Sequence, residues 1–160
     1  QCRIVLCVRN GIDVVTSMLR KQWFDDGVLE NELWPYAARV DGVNVPCGIP
    51  EPFHPRWPAM NAPTRACLMW SVHAEWGLQQ RAHSDVIELR YETLLAQPHA
   101  EVERLAGLLG HGLTALTQRW IAAVRQPPSS HDPKRGAFEE LVEPDIHARF
   151  TQLNASWGYG

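Results

Sequence analysis

The sequence predicts an α/β fold in which a parallel sheet of few strands is flanked by helices. The first observation is an unbroken apolar run, 4–8, which is typical of a strand buried on both faces of a parallel sheet. The second is the alternating segment 86–91, which predicts another strand. The third is that apolar residues recur at helical spacing after each of these two segments.

Size and charge narrow the class of protein. The chain has 160 residues, of which 45% are hydrophobic and seven are Trp, so it predicts one domain over 1–160 with a real core. Its formal net charge of −3 does not provide the excess of positive charge that a protein needs to bind a polyanion. Nucleic acid is therefore excluded as the main partner, and a phosphate ligand would need a few well-placed cations.

The turn after the first predicted strand is the leading candidate site. Arg9-Asn10-Gly11 ends the apolar run, and a helix with Asp13 in its first turn is predicted to reach about Lys21. Ligands of open α/β sheets collect at such carboxyl ends of strands. Arg9 and Ser17 both donate hydrogen bonds suited to a phosphate oxygen, although Arg9 could equally be a structural ion-pair partner.

The middle of the chain is dominated by residues that break regular structure. The Pro- and Gly-rich segment 41–63 is predicted to be a long ordered loop, which either shapes an acceptor pocket or packs through Phe53 and Trp57 for stability. The helix predicted over 64–81 carries His73 on an apolar face. That histidine is either a catalytic base or, more simply, a core residue.

The last third contains three further predicted helices and a basic segment. The helices span 99–109, 114–124 and 144–153. Before the last of them stands Lys134-Arg135-Gly136, where two cations precede a glycine that permits close backbone approach. These residues predict either a clamp over a phosphate or a solvated pair of surface charges.

Cysteines and hydropathy bear on metals and location. Cys2, Cys7, Cys47 and Cys67 form no CxxC pair and have no metal-ligand spacing with the histidines, so buried free thiols and no metal are expected. No apolar run in the sequence is long enough to span a bilayer. A reducing, cytoplasmic location is the resulting expectation.

Three segments taken together resemble the PAPS-dependent sulfotransferase family. The first is Arg9-Asn10, Asp13 and Ser17 at their observed spacing. The second is the strand that ends in Tyr91-Glu92-Thr93-Leu94, passes Pro98 and enters a helix closing on Leu109-Gly110. The third is Lys134-Arg135-Gly136 before an aromatic residue, with Trp157-Gly158-Tyr159 near the end.

The resemblance implies a role for each of six residues. Arg9 and Ser17 would hold the 3′-phosphate of the nucleotide, and Tyr91 would pack near adenine, although a tyrosine plugging the end of the sheet is the alternative. Lys134, Arg135 and Gly136 would also reach the 3′-phosphate. Phe138 stands where the family often has Trp, and the Lys-Arg order leaves open which cation makes the contact.

The function implied is transfer of a sulfuryl group from PAPS to a hydroxyl or amine of a small-molecule, glycan or peptide acceptor. The fold implied is a partial P-loop-type, three-layer α/β/α domain. The family's 5′-phosphosulfate loop and general base have no counterpart among these residues, so the chain is expected to be a carboxyl-terminal part with catalytic residues unassigned. Its sheet is then expected to have an exposed edge or to pair with an upstream segment or another chain.

Two other functions stay open at this point. One is an inactive nucleotide-binding module or fragment that keeps the 3′-phosphate site. The other is a kinase-like P-loop protein, for which a Walker-type loop and an arginine-rich lid would be expected, and neither is found in the sequence.

Overall fold

The computed structural model describes residues 3–25, 35–123 and 136–160. The chain divides into two compact units, one made of Gln1–Arg9 and Gly77–Asp132 and the other of Asn10–Trp76 and Pro133–Gly160. Within the described residues the elements are β1 (Ile4–Val8), α1 (Gly11–Arg20), β2 (Tyr36–Val40), β3 (Val43–Pro46), a 3-10 helix (Glu51–Ala59), α2 (Ala62–Gln80), β4 (Val86–Arg90), α3 (Tyr91–Ala96), α4 (Pro98–Leu108), α5 (Ala115–Ala123), a short 3-10 turn (Glu139–Leu141) and α6 (Pro144–Ser156).

The first unit is built on the parallel pair of β1 and β4. The register joins Ile4 to Val86 and Val8 to Arg90, so both strands end at the same edge. Helices follow both strands, and the predicted α/β class with a parallel pair of strands and flanking helices is confirmed. In the described residues this sheet has two strands.

The prediction that the first strand is buried on both faces is wrong. Ile4 is 47% exposed and Val5 is 39% exposed, whereas Val8 is buried. An apolar run predicts that a strand will be covered, but burial on both faces needs neighbouring elements over its whole length. Along β1 only Val8, at the end of the strand that leads to Arg9, is buried.

The second unit has an aromatic core. Trp70 and Phe138 both pack edge-on against Phe150, with ring centroids 5.0 and 6.1 Å apart, and Phe24 meets Trp57 in the same manner at 6.3 Å. Edge-to-face geometry is favoured because the positive rim of one ring meets the negative face of the other. The core therefore packs α2, which carries Trp70, against α6, which carries Phe150.

The segment 41–63 contains regular structure, so its assignment as a loop without regular elements is wrong. β2 and β3 form an antiparallel hairpin through Asp41 and Gly42, both at positive φ. A 3-10 helix then covers Glu51–Ala59 in spite of Pro55 and Pro58 inside it. Proline is tolerated here because this short helix depends little on the i→i−4 bonds that proline removes.

Among the described residues, no helix combines the length and apolar character needed to cross a membrane.

Candidate functional site

The ends of the two parallel strands bring Arg9 and Tyr91 together within the first unit. Because Val8 pairs with Arg90, the next residue along each strand lies at the same edge of the sheet. The guanidinium carbon of Arg9 stands 4.6 Å from the centroid of the Tyr91 ring, which is a cation–π contact. The structure thus places two of the six predicted site residues side by side.

The pKa of Cys7 on β1, two residues before Arg9, reports on the charged groups near this strand end. The pKa of the Cys7 thiol is raised, first by partial desolvation of an otherwise exposed residue and then by the Glu92 carboxylate, while the Arg9 guanidinium opposes both. The positive charge of Arg9 and the negative charge of Glu92 therefore act on the Cys7 thiol in opposite directions. A phosphate bound there would meet a cation whose field is partly offset by a neighbouring carboxylate.

The start of α1 is the second feature, and it lies in the second unit. Asn10 caps the helix, with its Oδ1 accepting a hydrogen bond from the Ile12 backbone N–H at 2.9 Å. The Gly11 N–H donates to Oδ1 of Asn154 on α6 at 2.8 Å, in a buried position. These bonds satisfy two of the donors that a helix start leaves free and hold the first turn of α1 in place.

Gly136 approaches the first turn of α1. Its φ of +78° suits glycine, and a Cβ added there would lie 2.8 Å from Oε1 of Glu139 and 3.8 Å from Cγ2 of Ile12. Any other residue would be strained at this φ, whereas the contact with Glu139 could be relieved by a shift of that flexible side chain. Lys134 and Arg135, predicted to act with Gly136, lie outside the described residues.

Ser17 lies on α1 and is half-buried. It belongs to the second unit, whereas Arg9 belongs to the first. Thr16, the residue before Ser17, is buried, and its Oγ1 has no hydrogen-bond partner among the described residues. The sequence carries no signal for this orphaned hydroxyl, because a threonine on an apolar helix face usually bonds to the carbonyl one turn earlier.

His73 has a local role that explains its position on α2. Its Nδ1 donates to the Met69 carbonyl at 2.8 Å, one turn earlier on the same helix, and the side chain is exposed. The interpretation of His73 as a core residue is wrong, and this contact gives no support to a role as base. No group of three or more metal-ligating side chains occurs in the described part of the chain.

Arg65 organises the segment that follows the hairpin. It is buried on α2, and its guanidinium donates to the carbonyls of Trp57 (3.1 Å), Phe24 (3.2 Å) and Pro58 (3.0 Å). Trp57 in turn donates from Nε1 to the Asn44 carbonyl at 3.1 Å. The 3-10 helix and β3 are therefore tied to α2 through one buried cation and one indole.

An exposed ion pair joins the same 3-10 helix to α6. Arg56 binds both carboxylate oxygens of Asp145, at 2.8 and 3.1 Å, and also contacts Glu143. The hydrogen bonds from Arg56 lower the pKa of Asp145, and the same bonds raise the pKa of Arg56. Because both side chains are well exposed, this pair fixes orientation more than it adds stability.

Comparison with known proteins gives one clear result. Neither the curated proteins nor the solved structures contain a significant match to this chain. A family model described as a sulfotransferase domain matches residues 1–134, which is more than four-fifths of the sequence. That match includes the strand end with Arg9, the helix with Ser17 and the strand that leads to Tyr91. The chain belongs to the sulfotransferase domain family.

Proposed function

We propose that this chain acts in sulfuryl transfer from PAPS and that its residues supply the 3′-phosphate and adenosine half of the nucleotide site. The observation that carries the proposal is the pairing of Arg9 with Tyr91 at the carboxyl edge of the parallel strands. A fixed guanidinium beside an aromatic ring suits a ligand that carries a phosphate next to a base. PAPS, when bound, provides the sulfuryl group and the nucleotide leaving group.

The proposal gives each predicted residue a binding role. Arg9 would make a bidentate contact with 3′-phosphate oxygens, and Ser17 would donate its hydroxyl to the same group. Gly136 supports the proposal because its positive φ favours glycine, the residue that permits close approach of the backbone to a ligand. On the strength of the family resemblance, Lys134 and Arg135 remain proposed phosphate ligands. A contact between Tyr91 and adenine remains a proposal on the same ground.

The acceptor would be a small molecule with a hydroxyl or amine, or such a group on a glycan or peptide. We place its site by the hairpin and the 3-10 helix, since Arg65 and Trp57 give this segment a fixed shape. The general base is unassigned. A cytoplasmic, reducing location stays part of the proposal, and the free thiols of Cys7, Cys47 and Cys67 are compatible with it.

Calorimetric titration of adenosine 3′,5′-bisphosphate tests the nucleotide site. Replacing Arg9 by Ala removes one charge-assisted phosphate contact, which typically contributes about 1.5–3 kcal/mol, so affinity should fall roughly ten- to hundredfold. Arg119→Ala is the matched control, because it removes the same charge from an exposed position on α5.

The control should bind the nucleotide as wild type does. Equal affinity of wild type and Arg9→Ala, or no saturable binding by the folded wild-type chain, would contradict the proposal. Transfer of label from PAPS to an acceptor would then separate an enzyme from a module that only binds nucleotide.

A further inference from the structure

We propose that Tyr91 is a positioning residue for Arg9, and that its ring holds the guanidinium in the orientation that receives the 3′-phosphate. This inference rests on the proposed nucleotide site. It differs from a role for Tyr91 confined to adenine, because it assigns the effect of the ring to the phosphate end of the ligand.

The geometry of the strand ends supports it. Tyr91 is the first residue of α3 and directly follows β4, and Arg90 before it has an extended backbone at φ −85° and ψ 122°. The parallel register fixes the backbone of Arg9 alongside that of Tyr91. With both backbones fixed, the 4.6 Å contact places the guanidinium on one face of the half-buried ring.

The physical effect is a reduction in the freedom of Arg9. A long arginine side chain must lose rotamer entropy before it can present its planar fork to a phosphate. A ring that already holds the guanidinium removes part of that loss from the binding step, which is the general basis of preorganisation. The cation–π contact also leaves the N–H groups at the guanidinium edge available to oxygen acceptors, since stacking uses only the face of the group.

The same contact restricts what the tyrosine can do for the base. One face of the ring is occupied by Arg9, so adenine could contact only the opposite face or the hydroxyl edge. A purely adenine-binding tyrosine would affect every adenine nucleotide equally. A tyrosine that acts through Arg9 affects only those with a 3′-phosphate.

The test compares two ligands and three substitutions by calorimetry. The ligands are adenosine 3′,5′-bisphosphate and adenosine 5′-monophosphate, and the variants are Tyr91→Phe, Tyr91→Leu and Tyr91→Leu combined with Arg9→Ala. Tyr91→Leu should weaken bisphosphate binding by about three- to tenfold and monophosphate binding by less than about twofold. Tyr91→Phe keeps the ring and should restore bisphosphate binding, and in the Arg9→Ala background Tyr91→Leu should have no further effect.

Different outcomes separate this inference from the function it rests on. An equal loss for both ligands in Tyr91→Leu, with the Arg9→Ala loss intact, would overturn the inference and leave the nucleotide site standing. If wild type shows no preference for the 3′-phosphate, the site and the inference both fail.

A ligand-free measurement keeps the inference testable if Tyr91→Leu folds poorly. In wild type and in Tyr91→Phe, the side-chain protons of Arg9 should show an upfield ring-current shift by NMR. Their appearance at random-coil positions in the folded wild-type chain would by itself overturn the stacking on which the inference depends.

Discussion

Asn154 uses both ends of its amide on backbone groups that are far apart in the sequence. Oδ1 accepts from the buried N–H of Gly11, and Nδ2 donates to the Tyr159 carbonyl at 2.6 Å. The first turn of α1 and the end of α6 are thereby held by one side chain. Asn154→Ala would leave the Gly11 N–H buried without a partner, so it should cost about 1–3 kcal/mol of unfolding free energy in urea denaturation.

Gln152 offers the control for this prediction. It lies two residues earlier on α6 with an exposed side chain, so Gln152→Ala should change the unfolding free energy by less than about 0.5 kcal/mol. A similar loss in both variants would contradict the prediction, because alanine is the better helix former at both positions and only Asn154 makes the buried hydrogen bond.

Of the two side chains that hold the start of α1, Asn10 and Asn154, the sequence indicated only Asn10. Asn10-Gly11 was predicted as the turn that starts a helix, and the structure confirms it with Asn10 as the cap. The partner of Gly11 could not be predicted, because Asn154 is 143 residues away and no local sequence pattern indicates which distant group a helical asparagine will bind. The stacking of Arg9 on Tyr91 was missed for a related reason, although the pairing of the two predicted strands contained the signal.

Among the elements, the hairpin shows how the turn chemistry determines a local structure. Asp41 and Gly42 have φ of +49° and +83°, as a two-residue turn between antiparallel strands requires. The Asp-Gly pair flanked by Val40 and Val43 was the signal in the sequence. The surrounding prolines and glycines favour a loop and hide this signal. The helices α1, α2, α4, α5 and α6 have longer periodic patterns and were predicted to within a few residues, whereas the short helix α3 was not predicted.

Gly42 and Gly107 provide a matched test of that turn. A Cβ at either position would meet no atom within 4 Å, so the two glycines differ in backbone conformation and not in packing. Gly42→Ala should cost about 1–2 kcal/mol because φ is positive there. Gly107→Ala, within α4, should stabilise by roughly 0.5–1 kcal/mol because alanine is the better helix former.

Thermal or urea unfolding of the two variants beside wild type measures both effects. Equal changes of the same sign would show that the hairpin conformation does not depend on glycine at position 42.

At the scale of the whole molecule, the chain has the parallel pair of strands that defines its α/β class, and one of these strands is partly exposed. β1 exposes Ile4 and Val5, and the sheet has two strands within the described residues. A two-stranded sheet with exposed apolar residues is marginal alone, so pairing of this edge with another strand remains our proposal. The apolar pattern of β1 predicted a strand covered on both faces, which is wrong for Ile4 and Val5, because a sequence pattern cannot supply the element that does the covering.

Cys67 links the core of the second unit to the stability of the fold at alkaline pH. Its thiol is fully buried, and its pKa is raised to about 12, first by burial and then by the nearby Glu139 carboxylate. In the unfolded chain the thiol would ionise above its ordinary value of 9.0, while in the folded chain it keeps its proton up to about 12. Between these values the unfolded state binds fewer protons, so the free energy of unfolding falls as pH rises.

This predicts that wild type loses stability more steeply above pH 9 than Cys67→Ala does. One pH unit within that window corresponds to about 1.4 kcal/mol, so at pH 10 the variant should have gained roughly 1 kcal/mol relative to wild type, after its fixed cost at pH 8 is subtracted. Urea denaturation at pH 8, 9 and 10 gives the comparison, with Cys47→Ala, which removes an exposed thiol, as the control. Parallel pH profiles for wild type and Cys67→Ala would show that ionisation of the buried thiol does not cause the loss of unfolding free energy above pH 9.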